Sequence, residues 1–296
     1  MVHMTSKVKV SVIVPVWNDE RRVVKCINAL KNQQFVPEAY EIIIIDNGST
    51  DRTFEEIQGI EGITVLQELK PGSYAARNKG LSVAKGHYVA FTDSDCVPDK
   101  NWLASLIECA ETQRDIGVVA GDVSFFKDEA DEIDDASLAY ESFFSMNQEE
   151  YARKGVCITA NWLSKKKTLL ELGGFNAKLK SGGDHDMAKR LTNNGLSVVF
   201  CKQAVVAHPA RNKQEILKKR RRVIGGSWDK TDGKLKSIKL LWEAVKLYIK
   251  RTLLVFFSNE ASLKQRLSVF GIISAIFFVS LSEIAKLTVG QQSTRS

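Results

Sequence analysis

Glu41-Ile42-Ile43-Ile44-Ile45-Asp46 is the stretch that decides the fold. Four consecutive isoleucines leave no polar face, so this strand must be covered on both sides, as strands of parallel sheets are. Upstream lie a strand at Val8–Val16 and a helix at Glu20–Gln33, whose Val23, Val24, Ile27 and Leu30 fall on one helical face. Downstream the alternation continues: helix at Thr53–Ile57, strand at Thr64–Gln67, helix at Ala75–Ala84, strand at Tyr88–Thr92, helix at Trp102–Glu111, strand at Gly117–Val123. Repeated strand–helix–strand units with right-handed crossovers predict an α/β fold, a doubly wound and mostly parallel sheet flanked by helices.

The second half is less regular. The acidic run Asp128–Asp135 reads as a solvated loop, followed by the aromatics Tyr140, Phe143 and Phe144. Helices are expected at Thr168–Leu172 and Asp186–Asn193, and two short strands at Leu196–Cys201 and Ala204–Ala207. From Asn212 onward the chain reads as helical.

Its 296 residues suffice for one large domain with an appendage. The net charge of +7 hides an asymmetry: residues 1–200 carry 23 Lys/Arg and 29 Asp/Glu, residues 201–296 carry 19 and 6. The basic end points to an anionic partner. Five scattered cysteines, without a Cys-x-x-Cys pair, read as reduced core thiols and argue against a structural zinc site. The polar opening residues, with a strand beginning at Val8, do not read as a signal peptide.

Ligands of open α/β sheets bind at the carboxyl ends of the strands. The first strand ends Val14-Pro-Val-Trp-Asn18, the second Asp46-Asn-Gly-Ser-Thr-Asp51, and the strand at Tyr88 ends Asp93-Ser-Asp95. Two carboxylates at such an edge suit a hard divalent cation that also meets substrate phosphates, although surface turns are rich in aspartate too. Asp46 would accept hydrogen bonds from a nucleobase or ribose, or would cap the Asn-Gly-Ser turn. Farther on come Gly173-Gly-Phe-Asn176 and Gly182-Gly-Asp-His-Asp-Met-Ala-Lys-Arg-Leu191. Asp184 there is a candidate base or a helix N-cap; Asp186 has a structural role available, an i,i+4 pair with Arg190.

In that order and spacing, over roughly residues 8–210, these motifs resemble family 2 of the GT-A glycosyltransferases, inverting enzymes that use sugar nucleotides. The resemblance implies transfer of a sugar from a nucleoside diphosphate sugar to an acceptor hydroxyl, in polysaccharide, glycan or glycolipid synthesis. It implies nucleotide-sugar contacts from Pro15, Trp17 (stacking on the base), Asp46, Arg77 (toward the pyrophosphate), Asp93 and Ser94. It places Mn²⁺ or Mg²⁺ on Asp95 and His208, where imidazole favours Mn²⁺. Asp184 becomes the general base, and Asn161, Trp162, His185 and Asp186 are expected on the acceptor side. The usual pattern has Glu before the base where this chain has Gly183, so acceptor contacts from that carboxylate are missing.

The tail, residues 211–296, is a basic and apolar helical appendage to the 8–210 domain. Lys218-Lys-Arg-Arg-Arg222 comes without any nucleic-acid motif, so no nucleic-acid partner is expected. Leu235–Phe257 and the preceding Lys234 set lysines among Leu240, Trp242, Val245 and Leu253–Phe257, a pattern suited to a membrane interface. Leu267–Ser282 carries no charge over 16 residues, short of the ~20 of a spanning helix. An interfacial or re-entrant helix is expected ahead of a full span or a soluble packed helix. Together these place the protein on the cytoplasmic side of a membrane and keep a lipid-linked acceptor among the candidates. The rivals are a non-catalytic membrane-docked scaffold that binds nucleotide sugar, and a sugar nucleotidyltransferase. The latter wants a glycine-rich loop after the first strand, and Pro15-Val-Trp-Asn18 has none; a dinucleotide-dependent dehydrogenase fails likewise.

Overall fold

The computed structural model describes residues 8–112, 114–128, 131–179, 181–233, 235–258 and 261–292. Glu129 and Ala130 of the acidic run, and Lys234, lie outside the described residues. The chain forms two compact units, one of Met1–Ser124 with Met146–His208, the other of Phe125–Ser145 with Pro209–Ser296. The segment 125–145 therefore clusters with the tail, whereas the sequence reading set the boundary at residue 210 alone.

The first unit runs β1 (Val10–Val16), α1 (Val23–Lys31), β2 (Tyr40–Asp46), α2 (Thr53–Ile57), β3 (Thr64–Gln67), α3 (Ser73–Val83), β4 (Tyr88–Phe91), β5 (Val97–Pro98), α4 (Trp102–Thr112) and β6 (Ile116–Phe126). After α5 (Asp135–Phe144) of the second unit it resumes with α6 (Gln148–Arg153), β7 (Trp162–Lys165), α7 (Lys166–Glu171), α8 (Gly183–Asn193) and β8 (Ser197–Pro209). Eight strands form one sheet in the order β3-β2-β1-β4-β7-β6-β8-β5. The β3-β2-β1-β4 half is parallel, as the isoleucine run requires. β7 runs antiparallel to β4 and to β6, and β5 antiparallel to β8, so the sheet as a whole is mixed.

Alternation along the strands divides the core. Val12 and Val14 of β1, with Ile42 and Ile44 of β2, pack with Val23, Ile27 and Leu30 of α1 and Trp102 and Leu106 of α4. Ile13, Ile43 and Ile45 pack with Ala76 and Leu81 of α3 and Met187 and Leu191 of α8. α3 approaches so closely that a Cβ on Gly80 would lie 2.4 Å from Ile13 Cγ2.

The second unit holds α5 with α9 (Lys213–Lys230), α10 (Lys236–Phe256) and α11 (Leu263–Thr288). The end of the acidic run has a structural use, since Asp134 caps α5 by accepting the Ser137 N–H at 2.6 Å. α11 contains the uncharged stretch and is long and apolar enough to cross a membrane by length and composition. One of its stripes, Val269, Ile272, Ile273 and Ile276, packs with Tyr140, Ile216 and Val255; Ile284 and Leu287 pack with Ile224, Leu240 and Ala244.

Candidate active site

β1, β2 and β4 end at one edge, and β2 and β4 lie on opposite sides of β1, which makes this the topological switch point. Trp17 stands on the rim, 63% exposed. Asn18, at φ 49°, turns the chain and ties two loops together. Its N–H donates to Ser49 Oγ at 3.0 Å and its Oδ1 accepts the Thr50 N–H at 2.7 Å. Asparagine tolerates that left-handed backbone better than most residues. Pro15 is buried in β1 opposite Ile45, with no N–H to give the ladder. Asp46 is fully buried and accepts the Ser49 N–H and Gln67 Nε2, both at 3.3 Å, so it closes the turn at Gly48. A carboxylate has about four acceptor positions, and these long bonds leave part of that capacity open.

Beneath the rim, Arg77 is buried and its Nη2 lies 2.5 Å from Asp93 Oδ1. Burial pushes the Asp93 carboxyl above the usual range, Arg77 opposes the shift, and the charge of Asp95 adds to it. β5 pairs antiparallel with β8, and this pairing carries His208 back to Asp95, Nε2 to Oδ2 at 3.5 Å. Cys96 Sγ joins them, each of the three residues bringing a ligand atom within 4.8 Å of the others. Burial, reinforced by Asp95 and Asp93, pushes the Cys96 thiol well up and favours its neutral form. The remaining carboxylate and imidazole are donors that fit Mn²⁺ or Mg²⁺.

α8 starts at Gly183 after Gly182, whose φ of 76° is left-handed. The N-cap place is thus taken by Gly182, and Asp184 lies in the first turn, where the helix N-terminus favours a carboxylate. Asp184 Oδ1 accepts the His185 N–H at 2.9 Å and the Tyr74 hydroxyl at 3.3 Å. Tyr74 also underlies the Arg77 guanidinium, 5.8 Å from its ring centre, so Asp184, Tyr74, Arg77 and Asp93 form a continuous chain of contacts. His185 is half-buried, with its ring 5.5 Å from that of Tyr151.

Other expected site residues have structural duties. Asp186 accepts Arg190 Nε at 3.0 Å, and Arg190 donates to the Leu172 and Gly174 carbonyls, tying down the Gly-Gly-Phe loop. Ser94 is buried and its hydroxyl donates to Asp19 Oδ2 at 2.6 Å. Asn161 and Trp162, expected on the acceptor side, are both fully buried. Asn161 accepts Trp102 Nε1 and donates to the Asp122 and Ala204 carbonyls, each at 2.8 Å. Trp162 Nε1 donates to Ser164 Oγ at 2.7 Å. Sequence reasoning missed Asn18, Asp19 and Tyr74. Asp19, buried, accepts both Ser94 Oγ and Arg22 Nε, and burial pushes its carboxyl up.

Comparison with known proteins agrees with this fold. Residues 11–173 match Glycosyl transferase family 2. Glycosyltransferase AglE of Haloferax volcanii is 34% identical over 220 residues, 72% of this chain and 71% of AglE. The mannosyltransferase PcManGT of Pyrobaculum calidifontis, solved with GDP-Man and Mn²⁺, superposes with a TM-score of 0.55 at 18% identity, over 96% of this chain and 76% of that one. Residues 1–349 of S. aureus TarS, solved with UDP, give a TM-score of 0.53 at 16% identity, over 96% and 92%. The fold is that of GT-A glycosyltransferases, and this chain belongs to glycosyl transferase family 2.

Proposed function

We propose that this glycosyltransferase takes a nucleoside diphosphate sugar at the β1/β2/β4 edge and passes the sugar to an acceptor hydroxyl with inversion. The observation that carries the reading is the convergence of Asp93, Asp95 and His208 with the Arg77–Tyr74–Asp184 contact chain. Trp17 offers an exposed ring for the base, and Asp46 closes the neighbouring turn through Ser49. Asp95 and His208 would hold Mn²⁺ or Mg²⁺, which neutralises charge on a leaving diphosphate. Asp184 takes the proton of the acceptor hydroxyl as its oxygen bonds the anomeric carbon and the bond to the diphosphate oxygen breaks. His185 and Asp186, beside Asp184 on α8, are the acceptor-side candidates with exposed surface. PcManGT with GDP-Man and Mn²⁺, and TarS with UDP, support this donor class. The test is Asp184→Asn, which keeps the shape. Transfer should fall about 100-fold or more with nucleotide affinity unchanged; a variant retaining most of its rate would remove Asp184 from the role.

The same reading sets the second unit at an anionic membrane surface, through α10 rather than a spanning α11. Ile238, Trp242, Ile249 and Leu253 recur on one stripe of α10 and are each half or more exposed, as is Phe257 just beyond. Lys239, Lys246 and Lys250 accompany the stripe and are also exposed. Buried, reduced Cys26, Cys96, Cys157 and Cys201 fit a reducing compartment, which favours the cytoplasmic leaflet.

A further inference from the structure

The position before the candidate base is occupied by Gly183, and the reason is on the neighbouring helix. A Cβ on Gly183 would lie 2.7 Å from Cε2, 2.8 Å from Cζ and 2.9 Å from Cδ2 of Tyr74. The ring is not free to withdraw, because it is buried and stacks on Phe175 at 5.9 Å and 20°, with the Arg77 guanidinium on it. Phe175 is itself held by Asn78, whose amide pairs with the Phe175 N–H and C=O at 2.8 Å each. From this fixed place the tyrosine hydroxyl reaches Asp184 Oδ1 at 3.3 Å.

We propose that Tyr74 is a positioning residue for Asp184, and that Tyr74 and Gly183 form a matched pair in which the ring fills the space a side chain at 183 would take. The inference rests on the reading of Asp184 as the base. Tyr74 aims the carboxylate oxygen by donating to it, and the missing side chain at 183 is the condition for the ring to lie there. Burial, together with the charge of Asp184, pushes the Tyr74 phenol up, so it remains a donor through the neutral range. Besides Tyr74, the charged or titratable groups around Asp184 are Asp93, Arg77, Cys157 and, on its own helix, His185 and Asp186.

The experiment uses the full chain, a donor chosen by thermal shift among UDP- and GDP-sugars, and water as acceptor, read as release of nucleoside diphosphate. Tyr74→Phe keeps the ring and removes the hydroxyl: kcat should fall about tenfold at unchanged donor KM. Gly183→Ala should lower kcat in the parent but have no further effect in a Tyr74→Ala background. Parent-like kcat in Tyr74→Phe, or additive effects of the two alanine changes, would overturn the proposal. Asp184→Asn separates the two claims. If it is inactive while Tyr74→Phe behaves as the parent, only the positioning role falls; if Asp184→Asn remains active, the base assignment falls first.

Discussion

Asn18 Oδ1 accepts the Thr50 N–H at 2.7 Å, and this contact makes one piece of the loops that follow β1 and β2. The residue sits at φ 49°, a backbone that most side chains resist, so Asn18→Ala loses the clip and strains the turn. We expect a loss of about 1–2 kcal/mol in urea unfolding and weaker nucleotide binding through a displaced Trp17. Asn18→Gly should recover part of the stability, because glycine accepts the angle, while leaving binding weak.

Asn161 was expected beside an acceptor and instead joins three parts of the core. Asn161→Leu would orphan Trp102 Nε1 and the carbonyls of Asp122 and Ala204. The expected loss is on the order of 3 kcal/mol, measured as a lower denaturation midpoint, with donor KM unchanged in the folded fraction. A raised acceptor KM at parental stability would restore the acceptor role.

The residues that sequence made legible are those whose chemistry follows from a local pattern. Ile42–Ile45 dictated a strand covered on both faces, α2 begins at Thr53 as expected, and β3 begins and ends where its pattern does. The two short strands expected at Leu196–Cys201 and Ala204–Ala207 are one strand, β8, within which Lys202 and Gln203 are simply exposed. β7 has four residues and no clear alternation, and is a strand because β4 and β6 flank it. Asp93 and Asp95 stand out in the sequence by their place at a strand end, whereas His208 is singled out by the family resemblance, and the structure brings His208 to Asp95. Tyr74 was not, since its partner Asp184 is 110 residues away and no period connects them.

Lys219 gives the second unit a dependence on pH. Burial, with Arg211, Arg222 and Arg251 nearby and Glu141 opposing, lowers its pKa to about 8 from 10.5. Between those values the unfolded chain keeps a proton that the folded chain has lost, so this group makes stability rise with pH across that window. Below about 8 the cost of holding the charge is present in full. Lys219→Met should therefore raise the melting temperature at pH 7, and the gain should shrink toward pH 10.5. An equal difference at both pH values would show that Lys219 is solvated.

The α10 stripe predicts a membrane contact with two components. Anionic vesicles should sediment the protein more than neutral ones, because each lysine near such a surface contributes ~1 kcal/mol. Salt at 1 M should weaken only that part, since the Debye length falls to ~3 Å. Trp242→Ser with Ile249→Ser should remove the salt-resistant fraction. Full-length protein that stays in the supernatant with anionic vesicles at low salt would contradict a membrane face.

The most direct measurement is calorimetric titration of UDP and GDP into the full chain, in Mn²⁺ and in EDTA, for the parent and for Asp95→Ala. Asp95 lies 3.5 Å from His208 at the edge where the donor is placed. One nucleotide should bind about tenfold or more tightly with Mn²⁺, and Asp95→Ala should abolish the difference. Equal affinity in Mn²⁺ and EDTA, or an undiminished metal effect in Asp95→Ala, would contradict this expectation.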